Sequence, residues 1–209
     1  GDDTYFGVDA GDVVDETGGG GTDTVRVSLA SFSIAANADI ENIVGISASG
    51  QTLTGNNGIN RINGAAGNDS LLGSGGNDTM IGNDGNDTLN GGTNNDSLIG
   101  GVGDDSLIGW TGRDTLTGGD GADAFVFANP LAAANSDTIT DFNVAEDQIQ
   151  LQNSVFTALI EGALPASAFV IGTAATNALQ HVIYNQVTGN IFYDADGNGA
   201  QAAVVFANI

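Results

Sequence analysis

One apolar residue returns at every ninth position through the middle of the chain. Counted from Gly55, the sequence divides without a gap into eight units, beginning at Gly55, Gly64, Gly73, Gly82, Gly91, Gly100, Gly109 and Gly118. Position 8 of these units reads Ile62, Leu71, Met80, Leu89, Leu98, Leu107, Leu116 and Phe125. Position 6 reads Asn60, Asp69, Asp78, Asp87, Asp96, Asp105, Asp114 and Asp123. Period two within the unit predicts a very short strand. The Gly/Asn/Asp run ahead of it predicts a turn with positive φ angles. Nine residues cannot close a coil with two faces, but eighteen can. Two units then make strand–turn–strand–turn, with every position-8 side chain inward and stacked on the one a full coil later. Strands of stacked coils would lie about 4.8 Å apart and pair in parallel. The turns stack as well, in two columns. One holds Asn60, Asp78, Asp96 and Asp114, and the other Asp69, Asp87, Asp105 and Asp123.

The pattern loosens on both sides. Upstream, "GGGGTDTVR" (Gly18–Arg26) fits the unit again with Asp23 and Val25, "GDDTY" carries Asp3, and Asp12 follows nine residues later. "IENIVG" (Ile40–Gly45) is a further apolar segment. Degenerate coils are expected here, and Asp3, Asp12 and Asp23 are either ligands of fewer metal sites or solvated turn residues. Downstream the glycines stop after Phe127, and "NSDTITDFNVAEDQIQL" (Asn135–Leu151) alternates like strand, ending in Ile149 and Leu151. An open roll end exposes unpaired backbone, so some cap is required. "SVFTALIEG" (Ser154–Gly162) predicts a short helix or turn packing Val155, Phe156 and Leu159. From His181 to Ile209 three antiparallel strands are expected, turning at Thr188-Gly189-Asn190 and at Asp196-Gly197-Asn198-Gly199. The domain division is therefore 1–54 degenerate coils, 55–126 the repeat array, and 127–209 a C-terminal cap and tail.

Charge changes the picture from scaffold to site. The chain has 209 residues, 26 acids, 3 arginines and no lysine, for a formal net charge of −23. Such a balance argues against nucleic acid and against anionic membrane surfaces. There is no cysteine, hence no disulfide or thiolate site. No apolar run approaches the ~20 residues of a membrane span, and no N-terminal signal peptide is visible. The start, "GDDTYF", lies in mid-motif, so a fragment of a longer protein is expected. Stacked carboxylates less than about 5 Å apart repel. A Ca²⁺ between successive turns reverses the sign, because it accepts six to eight oxygens from carboxylates and backbone carbonyls. Four turns per column leave three gaps, or about six sites in two columns.

"GGVGDDSLI" (Gly100–Ile108) matches the nonapeptide G-G-x-G-x-D-x-U-x, and the chain resembles the RTX (repeats-in-toxin) family, which the gapless eightfold repeat supports. The resemblance implies an all-β fold, a right-handed parallel β-roll (β-helix or solenoid) with a C-terminal antiparallel β cap. It also implies a ligand set. One turn offers the carbonyls of positions 2 and 4 with its Asp, and the next turn in the column offers positions 1 and 3 with its own. In this sequence the implied side-chain ligands are Asn60, Asp69, Asp78, Asp87, Asp96, Asp105, Asp114 and Asp123. The backbone ligands singled out are Gly67, Gly73, Gly75, Gly76, Gly82, Gly85, Gly91, Gly92, Gly100, Gly101, Gly103, Gly109, Gly112 and Gly118. Asp137 and Asp141, in a segment similar to the cap of RTX rolls, are candidates for the last calcium. Asn60 replaces the first Asp and should make the Asn60/Asp78 site the weakest. Asn94 stands where position 4 is otherwise Gly, and Trp110 at position 2 is either a packing plug or a contact for a partner. "DADGNG" (Asp194–Gly199) begins like an EF-hand loop, but no Glu stands at its twelfth position; it is a hairpin turn or a separate calcium site.

Catalytic candidates are few. His181 is the sole histidine and reads as structural, and no G-x-S-x-G occurs. The chain is therefore expected to be non-catalytic, with any catalytic domain outside it. The tail "AAVVFANI" is similar to RTX C-terminal signals read by a type I secretion machine. Three functions follow: a module that folds outside the bacterial cell on binding calcium and carries that signal, a structural or adhesive surface protein that self-associates, or a carbohydrate-binding module of a polysaccharide-modifying enzyme. The third ranks last, since only Arg26, Arg61 and Arg113 are available and aromatics make up 6%.

Overall fold

The computed structural model describes residues 1–8, 12, 14 and 20–209. Its strands are β1 (Thr4–Val8), β2 (Thr24–Val27), β3 (Ser31–Ser33), β4 (Asn42–Gly45), β5 (Thr52–Thr54), β6 (Arg61–Ala66), β7 (Ser70–Gly75), β8 (Thr79–Asp84), β9 (Thr88–Thr93), β10 (Ser97–Val102), β11 (Ser106–Thr111), β12 (Thr115–Asp120), β13 (Ala124–Phe127), β14 (Asp137–Ile139), β15 (Gln148–Leu151), β16 (Phe169–Ile171), β17 (Val182–Tyr184), β18 (Asn190–Tyr193) and β19 (Val204–Asn208). They form two sheets. One runs β1-β2-β4-β6-β8-β10-β12-β14-β19-β18-β17-β16, the other β15-β13-β11-β9-β7-β5-β3. Alternate strands of the chain thus build opposite faces, which is the two-unit coil that the repeat predicts. Pairing through the roll is parallel, as in Leu98 with Met80 and Leu116 on one face and Leu89 with Leu71 and Leu107 on the other.

All eight position-8 side chains are buried. They stack in two ladders whose upstream members are Val25 and Ile43 on one face and Leu53 on the other. Each buried Leu, Ile or Phe contributes about 1.5–3 kcal/mol. The array strands are six residues long, not the very short strands expected. They run from position 7 of one unit to position 3 of the next, because positions 2 and 3 stay in register with the neighbouring coil, as Asn83 and Asp84 do with Gly101 and Val102. This pairing survives a left-handed residue at position 2: Ala65, Ser74, Asn83 and Trp110 all have positive φ.

Outside the array the coil length changes. Aligned turn residues are 18 apart within it but 23 apart from Asp114 to Asp137 and 24 from Asp123 to Asp147. The degenerate coils expected upstream are present as β1 to β5. The looser repeat expected between Val8 and Gly20, with Gly18 and Gly19, lies outside the described residues apart from exposed Asp12 and buried Val14.

The cap is continuous with the roll. β17, β18 and β19 are antiparallel, as expected, and β19 returns to pair in parallel with β14. β16 adds in parallel to β17. Ser154–Gly162 forms turns, and its Phe156 is fully buried. Phe156 meets Tyr193 and Phe206 edge-on at 5.1 and 5.2 Å, and Phe206 meets Phe127 at 5.0 Å. This aromatic cluster closes the roll's last coil. No helix among the described residues is long and apolar enough to cross a membrane.

Candidate metal centre

The turns carry the chemistry. Each array aspartate sits at the last turn position before a strand, and its carboxylate reaches back one coil. Oδ1 of Asp78, Asp96 and Asp114 accepts the backbone N–H of Asn60, Asp78 and Asp96 respectively, each at 2.8 Å. In the second column Oδ1 of Asp69, Asp87, Asp105 and Asp123 accepts from Gln51, Asp69, Asp87 and Asp105 at 2.6–2.9 Å. These contacts join the residues that the nine-residue spacing assigns to each column. They leave Oδ2 free: the Oδ2 atoms of Asp69, Asp78, Asp87, Asp96, Asp105, Asp114 and Asp123 are all buried without a hydrogen-bond partner. An unpaired buried carboxylate oxygen is costly.

Burial accordingly pushes these carboxyls up. Asp69 and Asp78 rise to about 6, and Asp96 and Asp105 to about 7. Backbone N–H donors oppose the rise, while column neighbours such as Asp114 and Asp78 beside Asp96 add to it. Asp87, Asp114 and Asp123 are raised for the same first reason, burial.

Carbonyl oxygens complete the surroundings. A Cβ placed on Gly85, Gly103 or Gly112, at position 4, would strike the carbonyl oxygen of Gly67, Gly85 or Asn94 one coil back. At position 2, Gly92 and Gly101 face the carbonyls of Ser74 and Asn83 in the same way. At position 1 the approach is reversed: a Cβ on Gly82 would lie 2.6 Å from the carbonyl of Gly100 one coil on, and against Oδ2 of Asp87. Carbonyls 2 and 4 of one turn and carbonyl 1 of the next therefore face one another across each gap. Glycine at position 1 is the residue that lets the carboxylate fold over the backbone. Among the described residues no three His, Cys, Asp or Glu side chains converge on one point. The gap is thus a mixed set of carboxylate and carbonyl oxygens. That is the donor chemistry of Ca²⁺, a hard cation of high coordination number, and not of Zn²⁺.

The columns run further than the array. Asp114 donates its N–H to Oδ1 of Asp137 at 3.1 Å, and Asp123 donates to Asp147 at 3.0 Å. Asp137 is raised to about 8 by burial and by the adjacent Asp114. Asp137 and Asp141, candidates for one last site, lie on different columns: Asp141 accepts the N–H groups of Gly118 and Gly119, in the turn of Asp123. Upstream, Asp23 accepts from Asp3, and Glu41 accepts from Asp23. Asp147 and Glu41 escape the nine-residue spacing, and Gln51, nine residues before Asn60, keeps it without an acid. All three still stand two residues before an inward apolar side chain, which is the signal that finds them. A second ladder, at position 5, keeps the nine-residue spacing but is not among the expected ligands. Asn68, Asn77, Asn86, Asn95 and Asp104 accept N–H groups from the following coil, opposite in direction to the aspartates.

Of the departures, Asn94 holds a φ of 81°, which Asn tolerates. Trp110 has a φ of 65° and is 37% exposed. The Asp194–Gly199 segment connects two strands without flanking helices, so it is no EF-hand.

Two family comparisons agree with this geometry. Residues 54–89 match the RTX calcium-binding nonapeptide repeat in four copies. Residues 82–205, more than half of the chain, match the peptidase M10 serralysin C terminal. No curated protein matches the chain.

Proposed function

The chain belongs to the peptidase M10 serralysin C-terminal family and is a calcium-binding RTX module, and from that premise we propose that it folds outside the bacterial cell when calcium binds, and that its C-terminal end is read by a type I secretion machine. The observation that carries this reading is the set of seven buried, partnerless Oδ2 atoms from Asp69 to Asp123. Without a cation they oppose the fold. In calcium-poor cytosol the repeats stay extended enough to thread a channel. Outside, extracellular modules of this chemistry bind calcium near 10⁻⁴–10⁻³ M. Binding and folding are then one event.

Each ion would be held between successive turns of a column by Asn60 or the aspartates Asp69 to Asp123 and by carbonyls of the turn glycines. The array gives about six sites, and Asp137 and Asp147 offer one further gap at the end of each column. We take residues 1–54 as degenerate coils, 55–126 as the calcium array and 127–209 as cap and export region. The module is non-catalytic in this reading. His181 supports that, since its Nδ1 hydrogen-bonds the Asp194 carbonyl at 2.8 Å and its ring lies against Tyr193.

Circular dichroism tests the calcium step. At pH 8 excess EDTA should abolish the β signal, millimolar Ca²⁺ should restore it cooperatively, and Mg²⁺ should substitute poorly because it demands tight octahedral geometry. An unchanged β signal in EDTA at that pH defeats the reading. Export is tested by fusing residues 181–209 to a slowly folding reporter beside a type I exporter. Reporter retained in the cell with and without the segment counts against it.

A further inference from the structure

Two gaps upstream, one behind the turn of Gln51 and one behind the turn of Asn60, contain no orphaned carboxylate. They contain primary amides. Gln51 is 2% exposed and holds position 6 of its turn. Its Nε2 donates to the carbonyls of Val27 at 3.2 Å and Leu29 at 2.5 Å, both in the turn one coil back. Its Oε1 accepts the N–H of Ser47 in its own turn at 3.2 Å. The other column repeats the device. Asn56, 3% exposed, donates Nδ2 to the carbonyls of Asn37 and Ile40, each at 2.8 Å. Asn60 Nδ2 lies 3.3 Å from the Ile40 and Glu41 carbonyls, and its Oδ1 accepts the Asn56 N–H at 2.7 Å.

In the array, carbonyls of one turn face the next across a gap that also holds a bare carboxylate oxygen. Here the carbonyls of the earlier turn already have donors. We propose that Gln51 and Asn56, assisted by Asn60, stand in for the ion, so that the gap behind the turn of Gln51 and the gap behind the turn of Asn60 are closed by side-chain amides and take no calcium. An amide NH₂ offers two donors to the carbonyls that a cation would bind. It carries no net charge, so it needs no carboxylate to balance it, and position 6 loses its acid at these two places. The turns of Gln51 and Asn60 therefore have an upstream side that is already satisfied. This inference rests on the calcium reading above.

The test compares Gln51→Glu and Gln51→Met with the native chain in full length. Bound calcium per chain is counted by atomic absorption after equilibrium dialysis at millimolar calcium. Gln51→Glu restores an acid at position 6 and should take up about one more ion than the native chain, with a fold that is lost more readily in low calcium. Gln51→Met fills the same volume without donors; it should keep the native count but melt at a lower temperature in saturating calcium. A Gln51→Glu chain that takes up no additional ion, folded or not, overturns the proposal, as does a Gln51→Met chain that melts like the native one. NMR of the native chain gives a reading without mutation. The Gln51 and Asn56 side-chain NH₂ signals should be protected from solvent exchange, and exchange at the rate of free amides overturns the assignment. Absence of calcium uptake by the native chain would instead defeat the calcium reading itself.

Discussion

At the scale of the residue, the position-6 aspartate does two jobs with two oxygens. Oδ1 ties its turn to the one before it, and Oδ2 is left for a cation. Place in the column therefore ranks single changes. Asp96 has Asp78 on one side and Asp114 on the other. Asp123 is also interior, because Asp147 follows it. Asp96→Ala and Asp123→Ala should each disturb two gaps, whereas Asp147→Ala touches one at the end of its column. The first two should raise the calcium midpoint for folding by on the order of tenfold or more, since even outer-shell partners of metal sites are worth 10–100-fold. Asp147→Ala should raise it less. Titration of the three variants followed by circular dichroism checks the order; equal midpoints would reject the column arrangement while leaving calcium binding intact.

At the scale of the element, a column of carboxylates and a stack of apolar side chains are two faces of one coil. Removing Leu98 opens a hole between Met80 and Leu116. Leu98→Ala should cost about 2–5 kcal/mol in the calcium-loaded state, read from denaturant midpoints. The column also sets a dependence on pH. Folding raises Asp69 and Asp78 to about 6, Asp96 and Asp105 to about 7, and Asp137 to about 8, against an unfolded value near 3.9. The folded chain thus holds more protons than the unfolded chain between those limits. Without metal, the contribution of these groups to stability is complete below about pH 4 and is lost as pH rises through 6 to 8. In EDTA the β signal should be greatest in acid and gone by about pH 8. With calcium present the carboxylates must be ionised to bind, so the trend should reverse. Thermal melts across this range decide it, and a chelated chain that melts higher at pH 8 than at pH 5 contradicts the burial of these groups.

At the scale of the whole molecule, the roll and its cap share a sheet through β14 and β19 and share a core through Phe127, Phe156 and Phe206. The cap is therefore built on the last coil. Phe156→Ala should cost about 3–5 kcal/mol. The loss should be local: hydrogen exchange should show the cap strands opening well before the array, whose coils depend on nearest neighbours. Equal loss of protection in Met80 and Phe192 backbone amides would mean that cap and array unfold as one unit.

The sequence alone determined the roll's coil length, its inward residues and the membership of each acid column. It could do so because the contacts that stack the array's turns join residues one coil apart, and a contact at constant separation leaves a period in the sequence. The same rule explains what it left undecided. Where the coil lengthens to 23 or 24 residues the period breaks, so Asp147 entered its column only in three dimensions, and Asp137 and Asp141 separated onto different ones. The return of β19 to β14 pairs Asp137 with Ala207, and a single contact across so long a separation has no repeat to announce it. The amides of Gln51 and Asn56 look in sequence like ordinary polar turn residues. Only the stacking of one turn on the next turns their donors toward carbonyls, because burial leaves those oxygens no water to bind.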